Sequence, residues 1–130
     1  MQLTEKEQAE QALSISGVNA SHCIQCGRCS ASCPVAQHMD VLPHRVVWEL
    51  SQGKIAKIQS SNTPWKCLSC FSCSARCPKS IDPAALIEAV RLGIIRKQGE
   101  NRIKADDIPA LLDENLPQQA LVSIFRKYAK

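Results

Sequence analysis

Eight cysteines in two matched runs are the residues of this sequence best suited to chemistry. The first run, CIQCGRCSASCP, covers residues 23–34, and the second, CLSCFSCSARCP, covers residues 67–78. Both have the pattern C-x2-C-x2-C-x3-C-P, and every cysteine and proline of the first run returns 44 positions later. Three thiolates at this spacing in a tight loop can converge on one metal centre. The repeat therefore predicts two similar sites.

The cysteines could form disulfides, bind zinc or bind iron–sulfur clusters, and their spacing favours one of these roles. A reducing cytosol disfavours a disulfide framework. Zinc sites usually join two C-x2-C pairs across a longer spacer. Here a third cysteine follows the first pair at once, and a fourth comes after three further residues, as in 4Fe-4S proteins. The spacing predicts two 4Fe-4S clusters, with zinc as the alternative.

The fourth cysteine of each run is predicted to bind the cluster of the other run, as it does in two-cluster ferredoxins. One cluster would be held by Cys23, Cys26, Cys29 and Cys77. The other would be held by Cys67, Cys70, Cys73 and Cys33. This exchange would connect both halves of the chain through both clusters. Pro34 and Pro78 would turn the backbone away after each bridging ligand.

Basic residues beside the cysteines form a second group of candidates. They are His22, Arg28, Lys66, Arg76 and Lys79. They could raise the reduction potentials of the clusters by positive charge or by hydrogen bonds to sulfur. The alternative is ordinary solvated charge. The full set of eight cysteines leaves no vacancy for a histidine ligand, and we expect His38 and His44 at the surface or in capping positions.

The segments that must position the two runs have the patterns of helices. Thr4 with Glu7 three residues later is a capping box, and it predicts a helix that runs to about Leu13. Asp40 is predicted to cap a helix with Pro43 in its first turn, followed by apolar residues on one side.

Two further helices are predicted at Thr63 and Asp82, since each residue precedes a proline. No segment between the runs shows the strict alternation of a half-buried strand. We therefore predict an all-α domain over residues 1–99 that binds both clusters. Residues 100–130 contain no cysteine. They are predicted to form a C-terminal helical tail, with a helix beginning near Pro117, that packs on the domain or docks a partner.

Length and composition indicate a small single-domain protein. A chain of 130 residues and 14.3 kDa suits one domain with a modest core. No apolar run is long enough to cross a bilayer, and the start MQLTEKEQAE has no signal-peptide pattern, which predicts a cytoplasmic protein. The formal charge of +4 counts neutral thiols. Eight thiolates and two oxidised cluster cores would add about −8 and about +4, so we expect no nucleic-acid partner.

The two runs, the helical spacer and the terminal PQQALVSIFRKY together resemble the C subunit of heterodisulfide reductase. The likeness covers nearly the whole chain, whereas the cysteine runs alone also occur in other helical ferredoxin domains. The resemblance implies an alpha-helical ferredoxin fold with two 4Fe-4S clusters. It also implies a hetero-oligomer in which a flavin-containing A subunit feeds the C subunit, which passes electrons to a disulfide-reducing B subunit.

The function that we predict is that of an iron–sulfur electron-transfer subunit, a non-catalytic part of an oxidoreductase complex. The alternatives are a subunit of another respiratory or dehydrogenase complex, a freestanding ferredoxin, and a module in which the metal is only structural. An enzyme in its own right is least favoured, because no cysteine outside the eight is present as a nucleophile. The sequence also lacks the CCG-type repeats of a B subunit and a dinucleotide-binding fingerprint.

Overall fold

Helices account for nearly all the regular structure in the computed structural model of this chain, which describes residues 3–96, 115–120 and 122–123. Within residues 3–96 the helices are α1 (Glu5–Ser16), α2 (Arg28–Ala31), α3 (Pro43–Ser51), α4 (Ala56–Ser60), α5 (Thr63–Lys66), α6 (Ser72–Ala75) and α7 (Pro83–Ile95). Two 3₁₀ turns cover Ala20–His22 and Ala36–His38. The described residues contain no strand, so the predicted all-α class is confirmed.

Helix α1 begins at the predicted capping box. The Thr4 backbone N–H donates to Glu7 Oε2 at 2.7 Å, and the Glu7 N–H donates to Thr4 Oγ1 at 3.4 Å. The helix continues past Leu13 to Ser16. It ends at Gly17, whose φ of +66° lets its N–H donate back to the Leu13 carbonyl.

Helix α3 begins without the predicted Asp40 cap, so that prediction was wrong. Leu42 is the N-cap residue and makes no side-chain hydrogen bond, while Pro43 occupies the first turn. The Asp40 carboxylate accepts from the Asn62 N–H at 2.9 Å, and Asn62 Oδ1 accepts from the Asp40 N–H at 3.0 Å. Asp40 therefore joins the segment before α3 to the start of α5, and its carboxylate does not cap α3.

The predicted starts of α5 and α7 are both present. Asp82 caps α7, since its Oδ1 accepts from the Ala85 N–H at 3.0 Å. Thr63 is the first residue of α5 and is completely buried. Its hydroxyl accepts from the Val41 N–H at 2.9 Å and donates to the Val41 carbonyl at 2.8 Å, which satisfies a buried polar group.

An aliphatic core holds α1, α3 and α7 together, and α7 contacts both of the other helices. Its buried side chains include Ala9, Ala12, Val46, Val47, Leu50, Ile58, Leu86, Ile87 and Val90. Burying a Leu, Ile or Val side chain contributes about 1.5–3 kcal/mol each. A second, smaller buried group lies apart from this core and consists of Cys29, Cys73 and Ala84.

The chain divides into two units, Met1–Lys97 and Gln98–Lys130. In the second unit, residues 118–120 and 122–123 are helical, and the Ala120 N–H donates to the Pro117 carbonyl at 2.9 Å. A helical turn thus follows Pro117 as predicted. The rest of the predicted tail lies outside the described residues, and its role stays a prediction. No helix among the described residues is long and apolar enough to span a bilayer.

Candidate metal centre

Two cavities are lined by all eight cysteines, four in each. The first cavity has about 350 Å³ of empty space and is lined by Cys23, Cys26, Cys29 and Cys77. The second cavity has about 330 Å³ and is lined by Cys33, Cys67, Cys70 and Cys73. Each cavity therefore brings together the first three cysteines of one run and the fourth cysteine of the other. Their role as ligands stays a prediction.

The two runs have the same backbone conformation, which explains why their cysteines are placed alike. Gln25 and Ser69, which are 44 positions apart, have φ values of +53° and +52°. Gly27 and Phe71, again 44 apart, have φ values of +76° and +57° and immediately precede α2 and α6. Each run thus makes two left-handed turns and then one short helix, and this path brings its first three thiols to one cavity.

The burial of the cysteines follows the same order in both runs. The second cysteine of each run, Cys26 or Cys70, is exposed, and the third, Cys29 or Cys73, is buried. Burial raises the pKa of the Cys29 and Cys73 thiols. Burial thus disfavours their thiolate forms, and the positive charge of bound iron would offset this effect.

The donor set fits a cluster with several metal atoms. Among the described residues, no group of three or more His, Cys, Asp or Glu side chains is placed to hold a single metal ion. The four thiolates of a cubane bind four different iron atoms. Four cysteine sulfurs around each largely apolar cavity are the ligands that a 4Fe-4S cluster requires.

Hydrogen bonds reach two sulfurs of the first cavity. Gln25 Nε2 donates to Cys23 Sγ at 3.1 Å and also lies 3.1 Å from the His44 carbonyl oxygen. The Ile81 N–H donates to Cys77 Sγ at 3.3 Å. Neither Gln25 nor Ile81 was predicted as a site residue. The only signal for Gln25 in the sequence is an amide side chain inside the first C-x2-C spacer.

Apolar side chains line the second cavity, and two serine hydroxyls contact its cysteines. Ser72 Oγ lies 3.4 Å from Cys70 Sγ, and this contact lowers the pKa of Cys70. Ser74 Oγ lies 3.9 Å from Cys73 Sγ and donates a short hydrogen bond to Asp82 Oδ1. Apart from its four cysteines, the residues that line this cavity are apolar: Pro34, Val35, Met39, Pro43, Leu68, Phe71, Ala84 and Ile87.

The basic residues predicted near the clusters lie in different places. Lys79 lines the first cavity. The other four are exposed and line neither cavity: His22, Arg28, Lys66 and Arg76. His44 was expected at the surface or in a capping position, but it is partly buried and lines the first cavity, where burial lowers its pKa.

Long-range hydrogen bonds connect the cysteine runs to the helical core. Arg91 of α7 donates to the Pro64 carbonyl at 2.7 Å and to the Cys67 carbonyl at 3.0 Å. In the first run, Ser30 of α2 and His44 of α3 are joined between Oγ and Nδ1 at 2.7 Å. These bonds hold the start of the second run against α7 and the short helix of the first run against α3.

Large apolar side chains are exposed at the mouths of the cavities. Ile24 lines the first cavity and is 58% exposed, while its counterpart in the repeat, Leu68, lines the second and is 63% exposed. Phe71 also lines the second cavity, and about half of its surface is exposed. Apolar side chains are therefore exposed beside both cavities.

Comparison with known proteins gives one domain match and two curated relatives. Residues 19–81, which include all eight cysteines, match the 4Fe-4S dicluster domain. The chain is 36% identical over 69 residues to the C subunit of ferredoxin:CoB-CoM heterodisulfide reductase from Methanosarcina acetivorans, which covers 53% of this chain and 28% of that protein. It is 31% identical over 97 residues to the protein of the same name from Methanosarcina mazei, covering 71% of this chain and 60% of that one. The chain therefore spans less than two thirds of either relative.

Proposed function

We propose that this chain carries electrons through two 4Fe-4S clusters, because residues 19–81 match the 4Fe-4S dicluster domain and the chain is similar to two heterodisulfide reductase C subunits. The observation that carries this proposal is the division of eight cysteines between two cavities. The clusters, when bound, supply one-electron redox chemistry. The chain supplies thiolates, apolar enclosure and a surface for partners.

The proposed ligand sets are those that line the two cavities. One is Cys23, Cys26, Cys29 and Cys77. The other is Cys33, Cys67, Cys70 and Cys73. Cys29 and Cys73, one from each set, pack with Ala84 in a single buried group, and α2 contacts α6. The two ligand sets are therefore neighbours within one domain, and this proximity supports electron exchange between them.

The proposed partners follow from the relatives, whose name describes one part of a larger reductase. We place this chain between a flavin-containing A-type subunit and a disulfide-reducing B-type subunit. Exposed Ile24 and Leu68 at the two cavity mouths support contact with one partner at each mouth. Eight cysteines committed to iron suit a reducing compartment, and we therefore place the protein in the cytoplasm.

Chemical analysis of the anaerobically purified protein tests the cofactor assignment. We expect about eight iron and about eight acid-labile sulfide per chain, with interacting reduced-cluster signals in electron paramagnetic resonance after dithionite reduction. Zinc without sulfide would overturn the electron-transfer function. Size-exclusion chromatography of native material tests the partners, because a monomer without copurifying subunits would favour a freestanding ferredoxin.

Substitution of the fourth cysteines tests the crossed ligand sets. If Cys77 belongs to the first cavity, Cys77→Ser should give the same altered reduced-state spectrum as Cys26→Ser, and Cys33→Ser should match Cys70→Ser. The fourth cysteine changes the cluster of the other run in this scheme, because its sulfur lies in the other cavity. A Cys77→Ser spectrum that matches Cys70→Ser would show that each run holds its own cluster.

A further inference from the structure

The two cavities match in their cysteines but differ in the hydrogen bonds that reach sulfur. In the first cavity, the Cys23 and Cys77 sulfurs accept from N–H groups at 3.1 and 3.3 Å. Their counterparts in the second cavity are Cys67 and Cys33. Within the part of the chain that the structure describes, neither of these two sulfurs accepts a hydrogen bond. The repeat therefore breaks its symmetry at the atoms that would contact iron.

Gln25 supplies one of these two hydrogen bonds, and it does so through its side chain. Its amide nitrogen carries two hydrogens, so it can donate to Cys23 Sγ and to the His44 carbonyl at once. His44 is itself fixed, because its N–H donates to Ser30 Oγ at 3.2 Å. Both N–H groups of this exposed amide therefore have an acceptor. Ser69 has the same left-handed backbone in the second run but carries no amide to donate.

Charged groups lie near both cavities, and the Arg91 guanidinium donates to the carbonyl of Cys67 beside the second. Lys79, which carries a positive charge, lines the first cavity. In the second, Ser74 Oγ is 3.9 Å from Cys73 Sγ but donates to the Asp82 carboxylate, which brings negative charge close to that cavity. Another polar contact there is the Ser72 hydroxyl, 3.4 Å from Cys70 Sγ.

We propose that Gln25 raises the reduction potential of the cluster in the first cavity, so that this cluster accepts the first electron. The inference rests on the proposed function and assigns an order to its two clusters. Reduction adds negative charge, and an N–H group donating to a ligand sulfur stabilises the reduced form more than the oxidised form. In the second cavity the counterpart sulfur, that of Cys67, accepts no hydrogen bond among the described residues, and the polar contact lies at Cys70 instead. Gln25 acts through Cys23 and is therefore a positioning residue.

Potentiometric titration of the full-length protein with both clusters, followed by electron paramagnetic resonance, tests the proposal. Gln25→Met keeps the length of the side chain but removes the donor. We expect the higher of the two midpoint potentials to fall, and the lower one to stay unchanged. Gln37→Met is the matched control, since Gln37 lines neither cavity. It should leave both potentials unchanged.

The outcomes separate this inference from the proposed function. If the wild-type protein binds no iron and sulfide, or if its clusters do not change redox state, the electron-transfer function fails. If both clusters titrate but Gln25→Met leaves the higher potential unchanged, or lowers the lower one, only the role of Gln25 fails. Gln25→Leu is titrated in parallel. If one of the two variants loses iron, the potentials of the other still test the role of Gln25.

Discussion

Phe71 occupies a backbone conformation that its counterpart in the first run, Gly27, adopts at less cost. Both residues precede a four-residue helix with positive φ, but only Phe71 has a Cβ atom to crowd the following carbonyl. The ring is half-exposed at the mouth of the second cavity, where it gains little burial in return. The backbone of Phe71 is therefore strained, and burial of its ring offsets little of that strain.

Replacing Phe71 by Gly and by Ala measures that strain. Both variants lack the ring, so the difference between them isolates the Cβ atom, and we expect Phe71→Gly to be more stable by about 1 kcal/mol. Gly27→Ala should cost about 1 kcal/mol for the same reason, since a Cβ there would meet nothing within 4 Å. Anaerobic thermal unfolding followed by circular dichroism measures both. Equal stability of the Gly and Ala variants would contradict the expectation.

Individual residues differed in how far the sequence predicted them. The cysteines could be found because their spacing is a local property of each run. Gln25 could not, because its hydrogen bond partner on His44 comes from α3, 19 positions away. Asp40 was assigned wrongly because its acceptor capacity goes to Asn62, 22 positions along the chain. In both residues a long-range contact decided what a polar side chain does.

Helix α4 depends on a residue from another helix. It has no side-chain cap of its own. Glu5 of α1 instead accepts from the N–H groups of Ile55 and Ala56 at 2.9 and 3.0 Å. The sequence therefore contains no local signal for the start of α4, whereas Asp82 before Pro83 predicted the start of α7. These hydrogen bonds also lower the pKa of Glu5, because they favour its charged form.

The lowered pKa of Glu5 predicts how stability depends on pH. The contribution of its charge is fully present above the unfolded pKa of about 4.3, and it is lost as pH falls through the lower folded value. Glu5→Gln should therefore unfold faster than wild type at pH 7, and this difference should shrink in acid. Stopped-flow unfolding after a pH jump reads the rates before sulfide is released. Glu10→Gln, on the same helix, is the control and should show little effect at either pH.

At the scale of the whole molecule, the helical core and the cysteine runs are filled differently, although Val47 and Ile87 of the core also line the cavities. The aliphatic core of α1, α3 and α7 is filled by side chains, whereas the cysteine runs surround cavities of about 350 and 330 Å³. Only the small group of Cys29, Cys73 and Ala84 is buried between the runs, among the residues that the structure describes. The helical core should therefore persist without iron better than the runs do.

Hydrogen exchange with and without iron tests this division. After anaerobic chelation, we expect amides in residues 23–34 and 67–78 to lose protection, because nothing then fills the two cavities. Amides in α3 and α7 should keep most of theirs. Mass spectrometry of peptides from each segment measures the two classes in one sample. Equal loss of protection in α7 and in the runs would show that the clusters hold the entire domain together.

The lining of each cavity by both runs bears on how such a chain could have arisen. A polypeptide with one run would bring three cysteines to a cavity and direct its fourth cysteine elsewhere. Two copies paired about a two-fold axis could exchange their fourth cysteines and complete both cavities. The repeat at 44 positions thus has the organisation expected from duplication and fusion of a short homodimeric ancestor. Covalent linkage would then allow the two halves to differ, as Gln25 and Ser69 do at equivalent positions.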